Sequence, residues 1–396
     1  MKKRVIFIVV TALLCCLLVA CGSKTRLQAP QNIRQNGPFL IWDEVKNAEG
    51  YIVLADNEEY VTAEPSCNLS FLGGETVYVV KIKAVGDGEN FADSDWSEFG
   101  FNEIFKYTLL ADGSGYEVNL SVSSVELQDR KVVVPSTYEN LPVTRIADKM
   151  FYKCASLTEI VLPNTLKEIG ANAFYNCDAL ESIELPESVT AIGSGAFMHC
   201  SSLKKIVVPT GIERIESNMF NDCTSLTEVV LPSMLKEIRG MAFFGCIALE
   251  NIELPASVTA IGSIAFGGCS SLKKIVVPTG VERIEGSTFV GCSNLTEVVL
   301  PSTLKEIMGM AFRKCEALKT VVLPSSLEDI GKDAFYMCPL ESVFFDGTEA
   351  EFLSVSVAEG NDSILSAAVY FYSETEPTEN PQKFWRFSGG KPLPWA

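Results

Sequence analysis

Apolar residues recur along this chain with a period much longer than that of a helix or a strand. Between Asp148 and Val343 a Phe returns every 23 residues, and a Cys follows each Phe three positions later. The cysteines of this column are Cys154, Cys177, Cys200, Cys223, Cys246, Cys269, Cys292, Cys315 and Cys338. Such a period indicates a solenoid, in which each unit buries its apolar face against its neighbours.

One repeat predicts a short strand at its start. Leu157, Ile160 and Leu162 have the spacing of a leucine-rich-repeat strand, with Ile160 and Leu162 on one face. Pro163 ends this strand because proline has no N–H to donate to a sheet. The residue between the two inward positions is therefore expected to point away from the core.

The rest of the repeat predicts a second inward-facing segment and a corner. Leu166 and Ile169 are three positions apart, which suits an extended or tightly turned segment. Ala173, Phe174 and Cys177 are then expected to point inward from a short helical corner. A repeat of 23 residues leaves no room for a full helix on the convex side.

A longer period lies above the first. The segment Ser201–Ile215 returns almost unchanged at Ser270–Ile284, which is 69 residues, or three repeats, later. Surface residues are copied together with core residues, so a duplication of a three-repeat unit is indicated. The outward surface of the array is therefore expected to be nearly periodic.

These motifs closely resemble the 23-residue, treponemal-type leucine-rich repeat of BspA-like bacterial surface proteins. The resemblance implies a mainly β fold, a right-handed leucine-rich-repeat solenoid with a parallel β-sheet on its concave face. It also implies an exported protein of the cell surface, since some members are implicated in adhesion to host matrix proteins, host cells or other bacteria. We assign the solenoid to residues 148–346.

Both ends of the array depart from the repeat. Residues 102–147 predict an N-terminal cap and a first atypical repeat, with a β-hairpin around the Gly-rich turn at Asp112–Gly115. Residues 347–396 predict a C-terminal cap with an aromatic tail that includes Phe384–Phe387. Terminal repeats are atypical because their outer faces have no neighbour to cover them.

The N-terminus predicts export and a lipid anchor. Three cationic residues precede a short apolar run, so residues 1–20 are interpreted as a signal peptide. The segment Leu18–Cys21 resembles the lipobox of bacterial lipoproteins, which implies that Cys21 is lipidated and that residues 21–26 are a linker. An uncleaved membrane anchor is the alternative. Both interpretations place the bulk of the chain on the extracellular face of the cell envelope.

Residues 27–101 show short alternating apolar runs separated by turn residues, which is typical of a small β-sandwich. Trp42 and Tyr51 lie where a fibronectin type III domain has its landmarks, and Leu72 followed by Tyr78 resembles the tyrosine corner of that fold. Trp42 and Tyr78 are interpreted as core residues. The expected role of this module is a spacer that lifts the solenoid from the membrane, with independent binding as the alternative.

Composition and charge remove several classes of function. The chain has 396 residues, a net charge of −18 and one histidine, His199. The acidic balance disfavours nucleic acid as a partner. A lone His with no recurring nucleophile or carboxylate set predicts no enzyme and no cofactor, although a carboxylate-pair glycosidase without histidine stays open.

The cysteine column allows three interpretations. Stacked strands lie about 4.8 Å apart, within the range that a disulfide can bridge. Every Cys nevertheless follows the same apolar corner, which favours buried free thiols. A metal site is disfavoured because no C-x-x-C pair occurs among the 13 cysteines.

Two outward columns of the predicted concave sheet are the candidate ligand-binding surface. The first column contains Val161, Glu184, Val207, Val230, Glu253, Val276, Val299, Val322 and Phe344. The second contains Glu159, Ser182, Lys205, Glu228, Asn251, Lys274, Glu297, Thr320 and Ser342. An apolar stripe beside a charged one is typical of a partner-binding patch, whereas the alternative is the ordinary preference of valine for strands.

The sequence therefore predicts a membrane-anchored surface protein that recognises an extracellular protein or a glycan through this concave face. The first alternative is a structural scaffold without a ligand of its own, and the second is an enzyme acting on polysaccharide. The identity of the ligand does not follow from the repeat, because nearly all of the shared pattern faces the core.

Overall fold

A computed structural model of the chain describes residues 24–36, 39–55, 58–69, 78–101, 105–120, 131–389 and 391–395. The predicted signal peptide, the candidate lipidation site Cys21 and Leu72 of the tyrosine-corner comparison lie outside these residues. The described chain is mainly β and contains two bodies of buried apolar residues, one in the N-terminal module and one along the solenoid.

The N-terminal module consists of two antiparallel layers and one short parallel pair. The larger layer contains, in spatial order, the strands Glu58–Thr62, Gly50–Ala55, Tyr78–Val85 and Ser97–Phe101. The smaller layer contains Arg34–Asn36, Phe39–Ile41 and Ser66–Asn68. Thr25–Arg26 pairs with Phe91–Ala92. The alternating burial along Gly50–Ala55 reflects the period of two that directs successive side chains to opposite faces.

Two aromatic residues lie at the centre of this module. Trp42 and Tyr51 are buried, and their rings meet edge to face at a centroid distance of 5.1 Å. The Tyr51 hydroxyl accepts a hydrogen bond from the Val45 N–H at 2.8 Å. Trp42 is thus a core residue, as predicted, and the module has its own hydrophobic core.

The N-terminal cap contains the predicted hairpin. Strands Phe105–Leu109 and Tyr116–Leu120 pair antiparallel around the turn at Asp112, whose carboxylate accepts hydrogen bonds from Ser114. The second of these strands pairs in parallel with Leu141–Ile146, which is antiparallel to Thr137–Tyr138. The cap therefore presents a parallel edge on which the first regular repeat can continue.

The solenoid is built from two rows of short parallel strands. We call the first row the first face. Its strands are Lys131–Val133, Glu159–Val161, Lys205–Val207, Glu228–Val230, Lys274–Val276, Glu297–Val299, Thr320–Pro324, Ser342–Asp346 and Ala368–Tyr372. Single bridges from Ser182 to Lys205 and from Asn251 to Lys274 continue this row.

The second row, which we call the second face, arises from the Leu-x-x-Ile segment of each repeat. After Leu141–Ile146 its strands are Glu168–Ile169, Ala191–Ile192, Arg214–Ile215, Glu237–Ile238, Ala260–Ile261, Arg283–Ile284, Glu306–Ile307, Asp329–Ile330 and Ser356–Val357. The prediction of a second inward-facing segment at Leu166 and Ile169 is confirmed, since both side chains are fully buried and Glu168–Ile169 is a strand.

A stack of phenylalanines occupies the core between the faces. All nine are fully buried, and neighbouring rings are stacked at centroid distances from 5.1 to 5.7 Å. The members are Phe151, Phe174, Phe197, Phe220, Phe243, Phe266, Phe289, Phe312 and Phe335. Because each ring contacts the equivalent ring of the next repeat, the 23-residue period is also a packing period.

The corner of each repeat is a series of turns, so the prediction of a short helical corner is wrong. In the first repeat, Ala173 and Cys177 donate backbone hydrogen bonds to residues three positions earlier. Asn172 and Asn176 have φ values of 53° and 59°, which a right-handed helix does not allow. The corner instead bonds to the next repeat, as when Phe174 N–H donates to the Ala196 carbonyl at 2.8 Å.

The C-terminal cap combines short helices with a hairpin. The helices are Glu349–Ser354 and Asp362–Ser366, followed by the 3-10 turn Pro381–Lys383. Strands Phe384–Ser388 and Lys391–Pro394 pair antiparallel and extend the first face beyond Ala368–Tyr372. Trp385 is fully buried, and its Nε1–H donates to the Phe345 carbonyl at 2.9 Å.

Candidate ligand-binding surface

The outward valines of the first face form an exposed apolar column. In strand Glu159–Val161 the central Ile160 is buried, whereas the residues on either side are exposed. The valines at the equivalent outward position are between 39% and 47% exposed. They are Val161, Val207, Val230, Val276 and Val299. The alternation of a strand thus places this position of each of these five repeats on the surface, as the sequence predicted.

The neighbouring column contains two ion pairs between adjacent repeats. Lys205 lies 2.7 Å from a carboxylate oxygen of Glu228, and Lys274 lies 2.6 Å from Glu297. Both pairs join adjacent strands and are repeated 69 residues apart. About half of each side chain is exposed, so each pair contributes little to stability but cancels its own charge. Asn251, another candidate residue of this column, is also exposed.

Two carboxylates stand within the valine column itself. Glu184 and Glu253 are exposed, and no Lys, Arg or His side chain of the described residues lies within ion-pairing distance of either. Valines occupy the same position one repeat before and one repeat after each. The column is therefore apolar except at Glu184 and Glu253, each of which carries one negative charge.

The C-terminal end of the predicted column is different. Phe344 is only 5% exposed, so the expectation that it extends the exposed stripe is wrong. Its ring stacks on Tyr370 and meets Trp385 edge to face at 5.5 Å. Val322 and Thr320 are half-buried. The terminal hairpin covers this end of the first face, a contact that no pattern within the repeats indicates.

The second face carries two clefts that sequence reasoning missed. The larger, of about 580 Å³, is lined by Glu237, Thr259, Ala260, Ile261, Gly262, Ser263, Gly280, Glu282, Arg283 and Glu285. The smaller, of about 340 Å³, is lined by residues 69 positions earlier: Thr190, Ala191, Ile192, Gly211, Ile212, Glu213, Arg214 and Glu216. In each cleft, a small Ala on a second-face strand lies beside a Gly in the turn that precedes the next strand of that face. These residues are Ala260 and Gly280 in the larger cleft, and Ala191 and Gly211 in the smaller one. The occurrence of these small residues in adjacent repeats is the feature of the sequence that could have indicated the clefts.

Charged side chains of the clefts are engaged with neighbours. Arg283 bonds to Glu306 at 2.6 Å, and Glu282 bonds to Lys305 at 2.8 Å. Lys305 in turn lowers the pKa of Glu282 through a hydrogen bond and its charge. The walls of these clefts are therefore polar but largely neutralised, which leaves little net field for an ionic ligand.

The cysteine column is buried and unreactive. All ten described cysteines are free thiols, and nine of them are buried. The Cys246 thiol donates to the Phe220 carbonyl at 3.2 Å, and the same contact recurs at Cys177, Cys200, Cys223, Cys269, Cys292, Cys315 and Cys338. Burial raises the pKa of Cys200 and Cys292 to about 12. Thiols of this kind pack as small apolar side chains rather than as nucleophiles.

His199 lies at a solenoid corner. Its Nδ1 is 3.5 Å from a carboxylate oxygen of Asp222, and its ring meets Tyr175 edge to face. Its φ of 60° is the left-handed conformation that Asn, Asp or Gly adopts at the same place in neighbouring repeats. Within the described residues no three His, Cys, Asp or Glu side chains converge as metal ligands would.

No helix among the described residues has the length and apolar character needed to cross a membrane. The predicted anchor segment is not among those residues, so the interpretation of residues 1–20 and Cys21 stays a prediction.

Comparison with known protein families gives one match. The profile of the BspA type leucine rich repeat region, in six copies, matches residues 144–262 and 236–354. Together these ranges span more than half of the chain and coincide with the solenoid. No curated protein sequence matches the chain.

Several solved bacterial structures are similar to this chain. A leucine-rich cell surface protein from Faecalibacterium prausnitzii is 21% identical, with a TM-score of 0.39, and the match covers 66% of this chain and 98% of that one. A leucine-rich repeat protein of T. pallidum is 28% identical, with a TM-score of 0.33 and coverages of 60% and 87%. A leucine-rich repeat protein from Bacteroides ovatus is 25% identical, with a TM-score of 0.33 and coverages of 65% and 89%. None of these comparisons indicates a catalytic family.

Proposed function

Because this chain belongs to the BspA-type leucine-rich repeat proteins, a family of bacterial surface proteins, we propose that it is a recognition protein of the cell surface. It binds an extracellular protein or glycan through the outward side chains of the first face. The observation that carries this proposal is the column of five exposed valines, which lie at the same position of their repeats.

The composition of the first face supports a binding role. Apolar groups that lie exposed and in line lose contact with water when a partner covers them, and that burial stabilises a complex by about 25 cal/mol per Å². The adjacent Lys205–Glu228 and Lys274–Glu297 pairs are already satisfied, so a ligand need not supply partners for them. A central apolar strip with a polar border is the usual composition of an interface.

The N-terminal segments fit the same role. In this proposal residues 1–20 direct export, Cys21 carries a lipid that holds the chain in the membrane, and the β module lifts the solenoid away from it. Residues 27–101 are proposed to be fibronectin type III-like, with Trp42 and Tyr51 as core landmarks.

The function is tested by binding. The soluble fragment from residue 24 is screened against host matrix proteins and glycan arrays. Val230→Arg combined with Val276→Arg should abolish binding to any ligand found, because two buried guanidinium groups would oppose the apolar contact. The thermal midpoint should stay almost unchanged, since nearly half of each valine is exposed (44% and 47%) and an outward Arg side chain can extend into solvent.

Ile247→Arg provides the matched control. Ile247 is a 48% exposed apolar residue that lies on a corner of the array instead of the first face. The control should therefore bind normally. Normal binding by the double valine variant would refute the first face as the site, and failure to find any ligand would favour a structural scaffold.

A further inference from the structure

Two carboxylates of the valine column have no ion-pair partner among the described residues. Among the described outward side chains of the first face, Lys205 and Lys274 are neutralised by Glu228 and Glu297 of the next strand. Glu184 and Glu253 lack such a partner because the flanking repeats have valine at that place.

Three residues before each unpaired carboxylate is a paired one. Glu181 bonds to Lys204 at 2.6 Å, and the equivalent Glu250 bonds to Lys273 at 2.5 Å. The three-repeat duplication thus copied both a neutralised and an uncompensated carboxylate. Glu184 and Glu253, the two carboxylates without an ion-pair partner, are consequently a repeated feature of the apolar column on the first face.

The register gives the distance between these two carboxylates. Glu184 and Glu253 are 69 residues apart, which is three repeats. With neighbouring strands about 4.8 Å apart, the two strand positions are roughly 14 Å apart along the face. Val207 and Val230 lie at the two intervening positions of the column.

An extended polypeptide matches this spacing. In a strand, residues i and i+4 point to the same side and lie about 13.5 Å apart. The residue at i+2 also points to that side and would meet the two intervening valines. A helix matches less well, because its side chains return to the same side at i+7 and i+11, about 10.5 Å and 16.5 Å along the axis, and both values are further from 14 Å than the 13.5 Å of the strand.

We propose that the first face binds an extended polypeptide segment of the pattern basic–x–apolar–x–basic. Its two cationic side chains pair with Glu184 and Glu253, and its central apolar side chain covers Val207 and Val230. This inference rests on the proposed function and names the class of its partner. Acidic polysaccharides are disfavoured as ligands of this face by the same two carboxylates and by the net charge of −18.

The test uses the full chain in mild detergent and synthetic peptides as probes. The reference probe is a fluorescent nonapeptide, Ser-Ser-Arg-Thr-Val-Thr-Arg-Ser-Ser, and rearranged peptides of the same composition place the arginines two or six positions apart. Fluorescence anisotropy should give the tightest binding for the separation of four. Glu184→Gln with Glu253→Gln should weaken that binding roughly tenfold, since two exposed ion pairs are lost.

A matched control separates a specific contact from a change in net charge. Glu44→Gln with Glu89→Gln removes the same two charges from exposed positions in the N-terminal module. This variant should bind the reference peptide within about twofold of the unchanged chain, because neither charge belongs to the first face and both are exposed to screening by salt.

Three results would overturn the inference: equal binding of all spacings, an equal loss in both double variants, or no binding of any peptide. Its failure is distinguishable from failure of the proposed function. If Val230→Arg with Val276→Arg abolishes capture of a screened ligand while the Glu184 and Glu253 variant retains it, the face binds but the polypeptide pattern is wrong. If both variants retain it, both proposals fail.

Discussion

Removing one ring from the middle of the phenylalanine stack should destabilise the solenoid strongly. Phe243 is fully buried, and its ring stacks on Phe220 and Phe266, each at a centroid distance of 5.3 Å. Phe243→Ala should lower the free energy of unfolding by about 3–5 kcal/mol, the usual cost of a Phe cavity. That is a large fraction of the roughly 5–15 kcal/mol that stabilises a folded protein.

The end of the stack gives a comparison worked from the same contacts. Phe335 stacks within the column only on Phe312, at 5.1 Å, so Phe335→Ala loses one ring contact where Phe243→Ala loses two. Each such contact contributes about 0.5–1.5 kcal/mol beyond its buried area. Phe335→Ala should therefore cost roughly 1 kcal/mol less than Phe243→Ala.

Urea denaturation followed by far-ultraviolet circular dichroism measures both differences. Ile247→Ala, at a position 48% exposed in the same repeat as Phe243, is the control and should shift the free energy of unfolding by about 0.5 kcal/mol or less. The reasoning is refuted if Phe243→Ala costs no more than this control. An equal or greater cost at Phe335 would show that ring stacking does not set the order.

Three further predictions concern the cysteines. The fragment from residue 24 should show ten free thiols on titration after denaturation without reductant, and a count of one or two would contradict buried free thiols. Burial raises the folded-state pKa of thiols such as Cys200 above the unfolded value near 9, so the unfolded state loses protons first as pH rises. The contribution of these thiols to the free energy of unfolding is therefore fully present below about pH 9 and is lost as the pH rises, by roughly 1.4 kcal/mol per thiol at pH 10. A fall in the urea midpoint above pH 9 measures this loss. Cys21→Ser should abolish incorporation of a labelled fatty acid into the protein, and labelling that persists would contradict lipidation of Cys21.

Most of the fold could be predicted from the sequence because its core contacts repeat. The Phe and Cys columns return at a constant interval, so placing one repeat correctly places them all. The corner was predicted less well. Positive φ values at Asn172 and Asn176 depend on hydrogen bonds to the adjacent repeat, which the spacing of apolar residues does not reveal.

The sequence by itself determined the period, the inward columns and the identity of the outward residues, since each follows from strand alternation within a single repeat. Only the tertiary structure decided which of those outward residues are available to a ligand. In the folded chain Lys274 pairs with Glu297, whereas Glu253 has no ion-pair partner among the described residues. Phe344 is buried against Trp385, which lies 41 residues later in the sequence. The physical reason is that the exposure and the net charge of a surface side chain depend on which residues of other repeats or caps contact it. A buried periodic column differs, because each of its residues packs against the equivalent residues of the adjacent repeats.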